Sequence, residues 1–202
     1  DTVISALSFA IASGARLEEA IKFSNIAAGI AVGKIGTAEV SIQEISKFML
    51  DQDSLSQNEK IANIKNASNS GKKIVFTNGG FDIIHSGHIK YLKEAKNCGD
   101  ILVVGINSDS SVKKLKGPDR PIINEPDRVK VLSSIRYVDF VLVFNDETPL
   151  NLIKLIRPDV LVKGGDYKNK SIVGSSFAKE TKTLSFIKNK SSSKIIKKIK
   201  KI

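Results

Sequence analysis

From residue 74 onwards, short apolar runs rich in β-branched residues alternate with segments of helical periodicity. The strand-like runs are residues 74–77, 101–107, 140–144 and 160–163, and the helical patterns are residues 88–97, 125–134 and 149–155. Short strands separated by helices need crossover connections, and right-handed crossovers produce a parallel sheet that is covered on both faces. The sequence therefore predicts an α/β domain with a Rossmann-like parallel sheet over residues 71–202.

The first 50 residues have a different character. Residues 3–12 and 17–32 repeat small apolar side chains near helical spacing, which predicts a pair of helices too small to bury a core alone. Residues 51–70 are mostly polar, with a short helical pattern at 58–66, and we expect a linker there. Because the chain begins at Asp1 inside a helical pattern, we expect it to be part of a longer protein.

The composition excludes several classes of protein. With 41% hydrophobic and 26% charged residues, the chain is neither disordered nor stapled by disulfides. The single cysteine, Cys98, cannot form an intrachain disulfide. No apolar run approaches the roughly 20 residues that span a bilayer. We therefore expect a cytoplasmic protein that does not associate with membranes.

The formal net charge is +11, and residues 182–202 hold eight lysines and no acidic residue. Such a tail raises the question of nucleic-acid binding. It contains no arginine and only one aromatic residue, Phe186, whereas proteins that bind single strands interleave aromatics for base stacking. A solvated lysine face on a terminal helix is the favoured interpretation. A basic nucleic-acid-binding module and an inactive fragment remain as alternatives of another class.

Two histidines follow the first predicted strand. His85 and His88 are the only histidines in the chain, and they stand at the start of a predicted helix. The free N–H groups of a helix start favour phosphate, Gly87 lets the backbone approach a bound group, and imidazoles donate to phosphate oxygens near pH 7. No cysteine or further histidine completes a zinc shell, so we expect no metal site formed by the protein itself. The pattern predicts a phosphate-binding site.

These residues resemble the signature of cytidylyltransferase-like nucleotidyltransferases. The resemblance begins with Thr77-Asn78-Gly79-Gly80-Phe81-Asp82 and His85-Ser86-Gly87-His88. It continues through Gly105-Ile106-Asn107-Ser108-Asp109, Leu115-Lys116-Gly117-Pro118-Asp119-Arg120-Pro121, Asp127-Arg128, and Arg157-Pro158-Asp159-Val160-Leu161-Val162-Lys163-Gly164-Gly165-Asp166-Tyr167. The combination is similar to the branch of sugar-phosphate adenylyltransferases that make ADP-heptose. The family's second signature is altered here to Lys188-Asn189-Lys190-Ser191-Ser192-Ser193, without its acidic residue and glycine.

The resemblance implies transfer of AMP from ATP to D-glycero-β-D-manno-heptose 1-phosphate, giving ADP-heptose and pyrophosphate for lipopolysaccharide core synthesis. Mg²⁺ is expected to accompany ATP. Catalytic roles are implied for His85, His88 and Lys116. Acceptor binding is implied for Asp82, Asp109, Lys116, Arg120 and Arg128. Nucleotide binding is implied for Thr77, Asn78, Gly79, Phe81, His85, Gly87, His88, Gly164, Asp166, Ser191, Ser192 and Ser193.

Residues 1–50 resemble the C-terminal end of a ribokinase-type sugar kinase, through Asn25-Ile26-Ala27-Ala28-Gly29 and Gly33-Lys34-Ile35-Gly36-Thr37-Ala38. In that family an aspartate that closes a Gly-Ala-Gly-Asp motif is the catalytic base, and Asp1 would match it. The layout is that of bifunctional heptose 7-phosphate kinases and heptose 1-phosphate adenylyltransferases, and we expect a homo-oligomeric parent. With the kinase half truncated, no kinase activity is expected. A cytidylyltransferase acting on glycerol 3-phosphate remains an alternative enzyme, because the same histidine motif would serve it.

Overall fold

The computed structural model describes residues 1–34, 36, 39–49, 55–165, 172–184 and 192–199, and the chain divides into two compact units after Gln52. The first unit contains α1 (Thr2–Ala12), α2 (Leu17–Val32) and α3 (Ile42–Met49). The two predicted helices are thus confirmed, and α3 is an addition that the sequence did not reveal. Small side chains form the contact between α1 and α2, since Ala10, Ala20 and Ala27 are buried.

The second unit is an α/β domain, as predicted. The described residues form one sheet of five parallel strands in the order β3-β2-β1-β4-β5. None of the helices in the described part of the chain has the length and apolar character needed to cross a membrane. The elements are α4 (Gln57–Asn69), β1 (Ile74–Gly79), α5 (Ser86–Lys96), β2 (Ile101–Asn107), α6 (Asp109–Lys116), α7 (Glu125–Ser133), β3 (Phe140–Phe144), α8 (Leu150–Ile156), β4 (Val160–Gly164), a 3₁₀ turn (Ser175–Phe177), β5 (Glu180–Leu184) and α9 (Ser192–Ile199).

The strands bury alternate side chains on the two faces of the sheet. One cluster joins Val75 and Val162 to residues of α5 and α7, including Leu92. The other joins Phe76 and Leu161 to residues of α4 and α8. Each strand side chain therefore has a known face, which fixes where the polar residues at the strand ends must lie.

Helix α4 belongs to this second unit, although the sequence analysis placed it within the expected linker at 51–70. Its N-terminus is closed by a capping box in which the Ser56 hydroxyl accepts the Glu59 N–H at 3.3 Å and the Glu59 carboxylate accepts the Ser56 N–H at 2.8 Å. Ile61 and Ile64 are buried in the cluster on the α8 face. These two isoleucines contribute to docking α4, and the polar average of the segment conceals them.

The order of the strands determines where a ligand can bind. β2 and β3 follow β1 on one side, whereas β4 and β5 lie on its other side, so the direction of winding reverses between β1 and β4. In open α/β sheets ligands occupy the crevice beyond the carboxyl ends of the strands at such a switch point. The ladder between β1 and β4 has only two residue pairs, Val75 with Val160 and Phe76 with Leu161.

Candidate functional site

A cavity of about 390 Å³ opens at the carboxyl ends of β1 and β4. It lies at the switch point of the sheet, which is the position that the winding of the strands dictates. Eight of the residues expected to bind nucleotide or acceptor line this cavity: Asn78, Gly79, Phe81, Asp82, His88, Lys116, Gly164 and Ser192.

The two histidines form a stacked pair at the start of α5. His85 is the N-cap residue, and its ring centroid lies 4.0 Å from that of His88 with an interplanar angle of 22°. The carbonyl of His85 accepts the N–H of His88 at 2.8 Å. Gly87 lies between them in the first turn. The sequence therefore brings both imidazoles and the N–H groups of a helix start to one place.

His88 is held as a neutral imidazole. Burial, reinforced by the neighbouring His85 and Lys116, lowers its pKa to about 4. Its Nδ1 atom is buried and has no hydrogen-bond partner within the described segments. Because His88 lines the cavity, this buried polar atom is suited to contact a ligand.

Phe81 shapes the loop between β1 and α5. Its φ of 42° lies in the left-handed region, and its ring contacts the His88 ring at a centroid distance of 5.3 Å. A Cβ atom at Gly79 would stand 3.0 Å from the Phe81 ring, so the ring would have to move aside for any larger residue. The glycine thus permits the loop to fold tightly over the histidine pair.

Lys116, at the end of α6, brings a positive charge over this loop. Its Nζ lies close to Gly80, only 3.5 Å from the point where the Cβ atom of a larger residue would stand. Burial, followed by the nearby Arg120, lowers the pKa of the Lys116 ammonium. The structure therefore brings together the three side chains that were expected to be catalytic, His85, His88 and Lys116.

Asp82 and Arg120 bind each other. The Arg120 Nε donates to the Asp82 carboxylate at 2.6 Å, and the second carboxylate oxygen accepts the N–H groups of Ile122 and Ile123 at 2.8 and 2.9 Å. The Asp82 side chain is fully buried. In this arrangement the pair ties the loop after α6 to the loop after β1. Direct acceptor binding by either residue stays a prediction.

Arg128 occupies the interior below the cavity and is only 1% exposed. Its guanidinium donates to the carbonyls of Gly80 at 2.8 Å, Asn107 at 2.9 Å and Ile123 at 3.0 Å. It also donates to the Asp109 carboxylate at 2.7 Å. These bonds join the loop after β1, the junction between β2 and α6, and the segment that leads into α7. Arg128 is therefore placed to hold the loops together, and its contact with a substrate stays a prediction.

Side chains connect β1 and β4 where their backbone ladder ends. The hydroxyls of Thr77 and Tyr91 are 2.7 Å apart, and the Tyr91 hydroxyl also donates to the Val162 carbonyl at 3.4 Å. One residue further along, the Lys163 ammonium donates to the Asn78 amide oxygen. Thr77 is therefore fully buried against Tyr91 of α5 and does not line the cavity, whereas Asn78 does.

The C-terminal helix contributes through Ser192, whose hydroxyl donates to the Ile83 carbonyl at 3.0 Å. This contact places the start of α9 beside the loop that precedes α5. Asp166 and Ser191 lie outside the described residues, as does the side chain of Ser193. Asp1 lies in the first unit, where its carbonyl accepts the Ser5 N–H at 3.0 Å at the start of α1.

Sequence reasoning missed several residues of the cavity. The missed residues are Gly80, Tyr91, Asn107, Leu115, Glu147, Thr148, Pro149, Lys163 and Val173. Residues 147–149 follow β3, and Lys163 ends β4. Their position just after parallel strands was the available signal, because the carboxyl ends of all such strands meet at one edge.

No group of three or more histidine, cysteine, aspartate or glutamate side chains that could hold a metal ion occurs within the described ranges. Mg²⁺ is commonly held by one or two carboxylates together with substrate phosphates rather than by a protein cage. Among the lining residues that the structure describes, Glu147 offers an exposed carboxylate, whereas Asp82 is already engaged by Arg120. The site fits an ion that arrives on a nucleotide.

Comparison with known proteins agrees with the geometry. A family profile described as cytidylyltransferase-like matches residues 76–198. The curated proteins named "Bifunctional protein HldE" from Sulfurimonas denitrificans and Nitratiruptor sp. are 51% and 47% identical to the chain over 99% of its length. The chain spans 43% and 45% of those relatives.

Among solved structures, the lipopolysaccharide core biosynthesis protein from Thermoplasma volcanium is 29% identical to the chain. The match covers 59% of this chain and 100% of that one, with a TM-score of 0.48. The family profile spans more than half of this chain and includes both histidines and the switch point of the sheet. The chain therefore belongs to the cytidylyltransferase-like family and carries a nucleotidyltransferase domain.

Proposed function

We propose that the second unit transfers AMP from ATP to D-glycero-β-D-manno-heptose 1-phosphate, releasing pyrophosphate and forming ADP-heptose. The observation that carries the proposal is the cavity at the switch point, which His88 and Lys116 line, with His85 stacked on His88 just outside the lining. The choice of acceptor is supported by the resemblance of the Lys116-to-Pro121 and Lys163-to-Tyr167 segments to the ADP-heptose branch, and by the relatives' shared name.

The acceptor needs little activation by the protein. The second pKa of a phosphate monoester is about 6, so the acceptor phosphate is already a dianion at pH 7. One of its oxygens attacks the α-phosphorus of ATP, and the bond to the bridging oxygen of the β-phosphate breaks with its electron pair leaving on pyrophosphate. No general base is required, so alignment and charge stabilisation carry the reaction.

The residues at the start of α5 would stabilise the transferring phosphoryl group. A neutral His88 donates a hydrogen bond through its protonated ring nitrogen, and the N–H groups of the helix start add donors aimed at the same region. Lys116 adds positive charge above Gly80. Negative charge from bound phosphates would raise the pKa of His88 and strengthen its donation. Mg²⁺, carried on ATP, supplies further charge neutralisation.

Residues 1–50 are proposed to be the C-terminal part of a ribokinase-type kinase domain, with residues 51–70 joining it to the transferase domain at 71–202. The support is the resemblance around Asn25–Gly29 and the greater length of the relatives. Asp1 is then the kinase base, and no kinase activity is expected of this chain. ATP as donor places the proposed reaction in the cytoplasm. A homo-oligomeric parent remains part of the proposal.

Pyrophosphate release tests the proposal. The chain is incubated with ATP or CTP, each in combination with heptose 1-phosphate or glycerol 3-phosphate, in the presence of Mg²⁺. We expect turnover with ATP and heptose 1-phosphate. Turnover with CTP alone would contradict the adenylyltransferase, and turnover with glycerol 3-phosphate alone would contradict the heptose acceptor.

A double variant, His85→Asn with His88→Asn, tests whether the histidines carry the reaction. Removing preorganised donors of this kind costs about 10²- to 10³-fold in kcat for each donor. We expect a loss of at least about 10²-fold with an unchanged circular dichroism spectrum. A double variant that retains wild-type turnover would remove the histidines from the mechanism.

A further inference from the structure

Lys163 is a buried lysine at the carboxyl end of β4, and neither the motif nor the resemblance assigned its side chain a role. It is 6% exposed, it lines the cavity, and its ammonium donates to the Asn78 amide oxygen. A charged group is rarely buried at this level without a polar or ionic purpose. Burial lowers its pKa to about 8, so the side chain remains mostly charged at neutral pH.

Strand alternation determines the face of the sheet from which Lys163 reaches the cavity. Val162 belongs to the cluster on the α5 face, and Leu161 belongs to the cluster on the α8 face. Lys163 therefore lies on the α8 face. Asn78 has the same orientation, because Phe76 is on the α8 face and Thr77 contacts Tyr91 of α5. The pair thus approaches the cavity from the face opposite to α5.

The other groups of the cavity that are suited to contact phosphate come from the opposite side. His88 is on α5 and Lys116 is at the end of α6, and both border the loop that follows β1. The cavity is therefore bordered by two sets of phosphate-binding groups, one on each side of the carboxyl end of β1.

Transfer of a nucleotidyl group needs two such sets. In an in-line displacement the attacking oxygen and the leaving oxygen lie on opposite sides of the α-phosphorus. One negatively charged group, the acceptor phosphate, must be held on one side, and the departing pyrophosphate must be held on the other. The helix start suits the phosphates of ATP. Lys116, for which acceptor binding was also expected, lies on the same side and is assigned to ATP on this inference, which leaves the α8 side for the acceptor.

This inference rests on the proposed function: we propose that Lys163 binds the phosphate of the acceptor substrate and that Asn78 positions the Lys163 ammonium. The loop after β3 borders the same cavity, where Glu147 and Thr148 present a carboxylate and a hydroxyl. Such groups hydrogen-bond to the hydroxyls of a polyol or sugar attached to the phosphate. The subsite would therefore take a phosphorylated, hydroxyl-rich acceptor.

The test compares KM values for the two substrates in Lys163→Met and in the wild-type chain. Losing a charge-assisted hydrogen bond should raise the KM for the acceptor about 10- to 100-fold, while the KM for ATP changes less than about threefold. Lys163→Arg, which keeps the charge, should restore most of the acceptor affinity. Lys60→Met is the matched control, because Lys60 is also a buried lysine, 7% exposed, but is on α4 outside the cavity. It should leave both KM values unchanged.

An unchanged KM for the acceptor, or a rise confined to the KM for ATP, overturns the inference. Should Lys163→Met fail to fold, as judged by circular dichroism, Lys163→Gln removes the charge while keeping an amide donor for Asn78 and gives the same comparison. Calorimetric titration of heptose 1-phosphate into the wild-type chain and the variant, without ATP, adds a readout independent of turnover, and equal dissociation constants also overturn the inference.

The same experiment separates this inference from the proposed function. If the wild-type chain accepts glycerol 3-phosphate but not heptose 1-phosphate, the heptose proposal fails. The Lys163 variants are then compared on glycerol 3-phosphate, which carries the same phosphate group. A selective rise in that KM supports the subsite, and equal KM values refute it.

Discussion

Replacing Arg128 by methionine should destabilise the second unit strongly. The substitution removes four donated hydrogen bonds and leaves the carbonyls of Gly80, Asn107 and Ile123 and the Asp109 carboxylate without this donor. Each buried polar group that loses its partner costs about 1–3 kcal/mol, but such costs are not additive. Breaking a buried charged network by removing one member typically costs about 3–5 kcal/mol. We expect a loss of that size, which is a large share of the ordinary 5–15 kcal/mol of a domain.

Tyrosine fluorescence during urea unfolding measures this loss. The chain has no tryptophan, and its three tyrosines, at positions 91, 137 and 167, all belong to the second unit, so the signal reports that unit alone. Arg136→Met is the control, because Arg136 is exposed and contacts only Tyr137 through a hydrogen bond and its ring among the interactions the structure describes. It should cost less than about 1 kcal/mol.

A double-mutant cycle shows whether the arginine acts through its network. Asp109→Asn alone should cost less than Arg128→Met, since the Asp109 side chain is 37% exposed. Combined with Arg128→Met it should add little, because the partner of the carboxylate is already absent. A loss below about 1 kcal/mol for Arg128→Met, or full additivity of the two substitutions, would refute this account of the buried guanidinium.

Three further predictions follow from contacts near the site. The pKa of His88 is about 4 in the folded chain and its ordinary value is 6.5, so the unfolded chain binds the proton first as the pH falls. The free energy of unfolding should therefore decrease between pH 6.5 and 4 by up to about 3 kcal/mol. Urea titrations at several pH values should show that His88→Asn lacks this part of the pH dependence, and an equal pH dependence in the wild-type chain and the variant would contradict it. Gly99→Ala places a Cβ 2.7 Å from the Lys73 carbonyl oxygen and should lower the unfolding free energy by about 1–3 kcal/mol, whereas an unchanged urea midpoint would show that the turn yields easily. Tyr91→Phe removes the buried hydroxyl contact with Thr77 and should lower the free energy of unfolding by about 1–2 kcal/mol in the same assay. An unchanged free energy of unfolding would show that another group replaces the hydroxyl.

Much of the fold could be predicted from the apolar pattern of the sequence, and the elements that the pattern does not reveal are missed for physical reasons. The strands β1 to β4 are nearly continuous apolar runs because both of their faces are covered. β5 escapes the pattern because this edge strand, ETKTL, is partly exposed and polar. α6 escapes it because only Ser111 and Val112 are buried on an otherwise lysine-rich helix.

The candidate site likewise has a part that the sequence could predict and a part that it could not. The histidine pair could be predicted, because a strand, a glycine turn and a helix start fix its position from local sequence alone. The roles of the charged residues could not, because a motif does not reveal whether a side chain faces a ligand or the interior. Arg128 is buried beneath the loops, whereas Lys163, which the pattern presents as the end of an apolar strand, borders the cavity.

The short backbone ladder between β1 and β4 has a consequence for how such a domain can acquire new substrates. Beyond Phe76 and Leu161, the two strands are connected through the side chains of Thr77, Tyr91, Asn78 and Lys163. Substitutions at the last two positions can therefore change the polarity and width of the crevice while the sheet keeps its register. With Lys163 in its proposed role, selection can act on the acceptor preference of the enzyme separately from the architecture that carries it.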